Sequence, residues 1–261
     1  MTKDEIKRIV EQVVAEPQPA APVRRKRRTQ EPQGSFQGDP LDDPNNPNVP
    51  KGGRWGVTGM AQSPEQFRQR VGSPGLNQSL GGKIKPDEVQ KLSQRIDQIQ
   101  PDEIIAYSRG APLYNSAVQA GMKWRPSSIT YMAPSSYRNW ANAAVPKAGS
   151  GKVTTGDKDS VVPMKQAAKN AVDAGVPMYV LPGFSHVGIM YSQGDVTPGG
   201  FEVDPEGIVN DPEMPDWGRS GMAAGGKDGP DMIRQAERIK QHVKEERALR
   251  RLLNLILNEN F

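Results

Sequence analysis

Apolar residues fall at helical spacings near both ends of the chain, and between them they come as short solid runs. Near the start, Ile6, Ile9, Val10, Val13 and Val14 predict an amphipathic helix within residues 1–16, with an apolar stripe that needs a partner surface. From 54 to 190 the pattern alternates. "RWGVTGM" predicts a strand and "SPEQFRQRV" a helix, with Ser63 as cap and Pro64 at the first helical position. "KPDEVQKLSQRIDQI" puts Val89, Leu92 and Ile96 on one helical face. Then follow "EIIAYS" (strand), residues 110–121 (helix), "SSITYMAP" (strand), "GKVTTG" (strand), "MKQAAKNAVDAG" (helix) and "PMYVLPG" (strand). Strands alternating with helices predict an α/β fold: a mostly parallel sheet of about five or six strands flanked by helices.

Residues 231–261 end in a long amphipathic helix. Met232, Ala236, Ile239 and Val243 form one stripe, and Leu249, Leu252, Leu253 and Ile256 continue on a shifted one. Such a helix either packs on its own domain or docks to another molecule. Both readings stay open at this level. No internal repeat is visible.

Two segments break the pattern. Residues 17–53 are crowded with Pro, Gly, Asn and charge, and read as a disordered basic, Pro-rich linker. Residues 191–230 are Gly-, Pro- and Asp-rich and read as an extended arm, since their carboxylates follow no metal-loop spacing. Composition agrees, with 27 glycines, 24 prolines, 35% hydrophobic residues and a mean hydropathy of −0.69. That is too much turn chemistry for the whole length to be packed core.

The chain has no cysteine, which excludes disulfides, thiolate metal sites and cysteine nucleophiles. The start is charged and lacks an apolar signal core. No run approaches the roughly 18 apolar residues of a membrane span, so a cytoplasmic protein with no membrane partner is expected. Net charge is +4, mildly basic. Its densest cluster is Arg24, Arg25, Lys26, Arg27 and Arg28, which can contact phosphates or simply solubilise the linker. No aromatic interleaves with it, which argues against a base-stacking platform.

The chemistry concentrates around "IIAYSRGAPLY". Ser108 follows a strand run and precedes a helix, with Ala106 two before it and Gly110 two after. Small neighbours let strand and helix approach closely at a sharp turn. A helix N-terminus behind the serine also favours developing negative charge. A plain helix cap is the alternative for this serine. Downstream, "VTTGDKDSVVP" carries Asp157 and Asp159 in a loop, and "YVLPGFSHVGI" places His186 just past a strand end. Turn formation is the alternative for the aspartates, and a solvated loop position for His186, one of two histidines. The chain order Ser, acid, His matches one version of the serine-hydrolase triad.

Residues 54–190 resemble a small, capless α/β-hydrolase: "AYSRGA" is similar to the family's nucleophile elbow, "TGDKDSVVP" to its acid loop and "LPGFSHVG" to its histidine loop. The resemblance implies Ser108 as nucleophile, His186 as general base and Asp159 as the residue that orients it. Asp157 is the alternative acid. It also implies an oxyanion hole from the backbone N–H groups of Arg109 and Met60, a small acyl substrate and no cofactor. Ala106 stands where the family usually has glycine. The stretch from Tyr131 to Val153 is too short for a cap, so an open site is expected, with Tyr107, Arg109 and Met60 as candidate rim residues.

A second reading is structural. The domain is then a module of a larger assembly such as a virus particle, docked or self-associated through its terminal helices. Nucleic-acid binding through the basic arm is a third, lesser reading.

Overall fold

The computed structural model describes residues 49–60, 62–77, 83–135, 150–196, 199–215, 234–245 and 248–249. The expected N-terminal helix, the basic run Arg24–Arg28 with most of the linker, and the last leucine-rich stretch after Leu249 lie outside the described residues. So does most of the short connection after Tyr131.

The apolar runs form the strands: β1 (Arg54–Val57), β2 (Glu103–Tyr107), β3 (Ser128–Met132), β4 (Ser150–Lys158), β5 (Met178–Ser185) and β6 (Phe201–Val203). They make one six-stranded sheet in chain order. The first five are parallel and β6 adds to β5 antiparallel. Strand side chains point alternately to the two faces, and the chain uses both. Ile104, Ala106, Ile129, Tyr131, Val153 and Val180 belong to the larger core. Their neighbours Ile105, Tyr107, Met132 and Leu181 belong to a smaller core on the other face. Burial on both faces explains why these strands read as solid apolar runs rather than as alternation.

Helix α1 (Pro64–Val71) starts as its sequence dictates, with Ser63 and Gln66 forming a reciprocal capping box and Pro64 in the first turn. It contributes Phe67 and Val71 to the smaller core, alongside Ile189 and Met190 of the 3-10 turn Gly188–Ser192. The larger core is covered by α2 (Pro86–Ile99), α3 (Gly110–Gln119), α4 (Met164–Ala174) and α5 (Pro205–Asn210). Helix α2 supplies Leu92, Ile96 and Ile99, while α4 supplies an alanine-rich face that lets it sit close to the sheet.

Two expected boundaries shift, and a third point, left open by the sequence, is resolved over residues 234–245. Residues 49–53, expected as linker, dock on the domain: Val49 is buried, Gly52 N–H donates to the Ile99 carbonyl, and Gly53 N–H meets Asp102 at 2.7 Å. Residues 199–215, expected as part of an extended arm, contain β6 and α5. Val203, Ile208 and Met214 are buried in the larger core. Three well-spaced apolar residues suffice there because the β5 edge is ready to pair, which the Gly- and Pro-rich composition masked.

The third concerns the C-terminal helix. Over residues 234–245 it packs on its own domain, with Ile239 and Val243 entering the larger core. Gln235 is fully buried; its side chain accepts from Met164 N–H at 2.9 Å and so caps the first turn of α4. Asp211 clamps the same helix, bonding Arg238 at 2.7 Å and His242 at 2.9 Å. Ile239 and Val243 of the first stripe are thus used within the chain, while Leu249 of the second stays exposed. No helix among the described residues is long and apolar enough to cross a membrane.

Burial opposes the Asp211 charge, but bonds from Arg238, the Glu213 N–H and His242 outweigh it and bring its pKa from 3.8 down to about 2. A depressed folded-state pKa adds stability that is present above the unfolded value and lost as pH falls through the folded one. Asp211→Asn is therefore expected to destabilise the protein by about 1–2 kcal/mol at neutral pH, as the loss of charged hydrogen bonds does. The gap to wild type in denaturant midpoints should shrink between pH 4 and pH 2.

Candidate functional site

Five parallel strands deliver their C-terminal ends to one edge of the sheet, where open α/β sheets bind ligands. Ser108 leaves β2 at that edge. Its N–H still donates to the Met132 carbonyl at 2.9 Å, yet its φ is +50°, in the left-handed region that a serine enters only under constraint. The constraint is the next turn. Helix α3 begins at Gly110, and a Cβ there would stand 2.2 Å from the Val57 carbonyl oxygen. Strand β1 and the helix start are that close, so only glycine fits and the backbone must turn sharply at the preceding residues.

Ser108 does not act as a side-chain cap for α3. Its Oγ lies 3.0 Å from His186 Nε2, and His186 Nδ1 lies 2.8 Å from Asp159 Oδ2. A carboxylate only accepts, so Nδ1 carries the proton toward Asp159 and Nε2 is left to accept from the serine hydroxyl. The histidine is largely buried rather than a solvated loop residue, and Asp159 is fully buried. Asp159 Oδ1 also accepts the N–H groups of Val161 and Val162, each at 2.9 Å. Its turn-forming role thus coexists with its contact to the imidazole. Such a chain of three can withdraw a hydroxyl proton as the oxygen attacks an electrophilic carbon.

Sheet register explains how residues so far apart meet. Lys158 pairs with Ser185 at the end of β4 and β5, past an irregularity after Gly156. The next residue on each strand is Asp159 and His186, so they leave the sheet side by side. At the irregularity, a Cβ on Gly156 would fall 2.0 Å from the Phe184 carbonyl oxygen. Crowding of the two chains here requires glycine.

Asp157, the alternative acid, is not brought to the imidazole. Its carboxylate instead accepts Gly183 N–H at 2.6 Å, which ties the β4 end to the strand carrying His186. Burial raises the Asp157 pKa against that bond and the attraction of Lys158 and Lys240. Gln235 of the C-terminal helix reaches the Asp157 carbonyl at 3.4 Å, connecting that helix to the acid loop.

Two expected rim residues are interior. The Arg109 side chain is 1% exposed and pairs with Glu88 at 2.8 Å. Burial works against the Glu88 charge, but the Arg109 bond and the Lys85 N–H more than offset it and lower its pKa. Tyr107 is buried; its hydroxyl donates to the His186 carbonyl at 2.9 Å, and its ring lies 5.3 Å from the imidazole. Burial, helped by the nearby Asp159 charge, raises the phenol pKa well above its usual value. Met60, the third, is exposed.

In the loop after β1, Thr58 N–H is held by Asn77 at 2.9 Å and Gly59 N–H by Gln62 at 3.1 Å. Met60 stands on the same loop, whose start at Val57 and Thr58 abuts the beginning of α3. Arg109 supplies the backbone N–H directly after the serine. Sequence reasoning placed Tyr107, inside the elbow motif, on the rim and did not name Gln62; their supporting roles come from the bonds to the His186 carbonyl and the Gly59 N–H. Among the described residues no cluster of three His, Asp or Glu side chains is arranged to hold a metal ion.

The left-handed φ of Ser108 can be tested without any substrate. Ser108→Gly and Ser108→Ala both lose the bond to His186, but only glycine relaxes the turn. The glycine variant should be more stable than the alanine variant by about 1 kcal/mol in urea denaturation.

No protein-family model matches the chain, and a search of curated proteins returns no match.

Proposed function

We propose that this protein is a serine hydrolase of the α/β-hydrolase type, cleaving esters or related acyl bonds. The observation that carries the reading is the unbroken chain from Ser108 Oγ through His186 to Asp159, at 3.0 and 2.8 Å. It sits on a strained turn at the ligand-binding edge of a parallel sheet.

In this reading Ser108 Oγ attacks the acyl carbon while His186 Nε2 takes its proton. The carbonyl π pair moves onto oxygen, where the backbone N–H groups of Arg109 and Met60 receive the negative charge. Collapse restores the carbonyl and breaks the bond to the leaving alcohol, which takes the proton from His186. Water then repeats the sequence: it gives a proton to His186 as it attacks the acyl-enzyme. The acid departs and Ser108 Oγ takes that proton back. Asp159 holds the imidazole in the required tautomer and stabilises its cation. Asp157 acts on backbone position alone.

Labelling with a fluorophosphonate probe tests the reading. Wild type should label and Ser108→Ala should not. Asp159→Asn should slow ester turnover roughly ten-thousand-fold, the scale of a misoriented imidazole. Asp157→Asn should stay within about tenfold of wild type, the effect of one hydrogen bond of about 1 kcal/mol. A folded wild-type protein that resists the probe would instead favour a structural module built on this fold.

A further inference from the structure

Among the described residues six large hydrophobic side chains are exposed: Met60, Val161, Val172, Val187, Tyr191 and Leu249. Scattered singly, such residues need no explanation. Here three of the six stand on loops of the candidate site. Met60 follows β1, Val161 comes two residues after Asp159, and Val187 comes immediately after His186. Met60 is 55% exposed and Val187 49%, although their neighbours Thr58 and His186 are buried.

Topology sets them on opposite sides of the serine. In the sheet β1 borders β2 on one side, and β5 lies beyond β3 and β4 on the other. All five strands run the same way, so the loop with Met60 and the loop with Val187 reach the same edge with Ser108 between them. The flanking segments, residues 58–60 and 186–190, contain no lysine, arginine, aspartate or glutamate. The cation next to the serine in sequence, Arg109, faces inward to Glu88 and offers its charge to no anionic substrate.

Resting on the serine-hydrolase reading, we propose that the substrate is an ester with an apolar hydrocarbon acyl chain, lying across the Met60 and Val187 side chains. Methionine suits this role because its unbranched thioether adapts to chains of different length. These segments carry no charged side chain of their own, with Arg70 Nη1 3.9 Å from Met190 Sδ as a cation beside them. Such a flank favours an apolar chain over a strongly hydrated acyl group, which would lose water contacts with little in exchange.

The test is a series of p-nitrophenyl esters, acetate, butyrate and octanoate, below their solubility limits, with the full-length protein. Partial burial of six added methylenes should raise kcat/KM about tenfold or more from acetate to octanoate. Val187→Ser and Met60→Ser should each cut the octanoate-to-acetate ratio by about threefold. Val172→Ser, an exposed position on α4 away from the site, should leave the ratio unchanged. A flat or falling series in a protein that hydrolyses acetate would overturn the proposal. So would a rise that survives both substitutions. Failure to hydrolyse every ester and to label with fluorophosphonate would instead overturn the serine reading beneath it.

Discussion

Lys158 pairs with Ser185 at the end of the β4–β5 ladder, and Asp159 and His186 therefore leave the sheet together. Slipping the register by one residue would exchange the two faces of a strand, taking Val153 or Val180 out of the larger core and putting a neighbour such as Thr154 in its place. The packing of both cores thus fixes which acidic side chain reaches the imidazole. Asp157, two residues earlier, is bound to Gly183 N–H and serves that same register. The geometry at the edge is inherited from apolar contacts within the sheet.

Ser108 is one of four described non-glycine residues with a left-handed φ, and its surroundings hold it in place. The serine N–H remains in the ladder with Met132, and Gly110 allows α3 to press against β1. Tyr107, one residue earlier, crosses to the smaller core and bonds the His186 carbonyl. One short segment therefore anchors its serine on one side and the histidine loop on the other. Gln62 adds a support on the β1 loop, so the Met60 N–H stands on a braced backbone.

The C-terminal helix belongs to the same mechanical unit over residues 234–245. Gln235 caps α4 and touches Asp157, while Arg238 and His242 converge on Asp211. Electrostatic attraction at Asp211 and the apolar contacts of Ile239 and Val243 hold the helix down together. The acid loop is thereby bordered by a helix far from it in sequence.

Much of this was legible in the chain. Solid apolar runs separated by helical periodicity specified a parallel α/β sheet, because burial on both faces leaves no polar alternation. Ser63 and Pro64 marked a helix start through local hydrogen bonding alone. Ser108, Asp159 and His186 stood out because they follow strand ends in a telling order. Tertiary structure alone decided the rest. Setting aside Asp157, which the sequence kept as the alternative acid, required a register, and burying Arg109 required its partner Glu88 on another helix. Finding β6 and α5 inside a Gly- and Pro-rich stretch required the open β5 edge that pairs with it. Local preferences depend on neighbours a few residues away and are written in the sequence. Pairings across strands and helices depend on which surfaces the whole chain brings together, and appear only once it has folded.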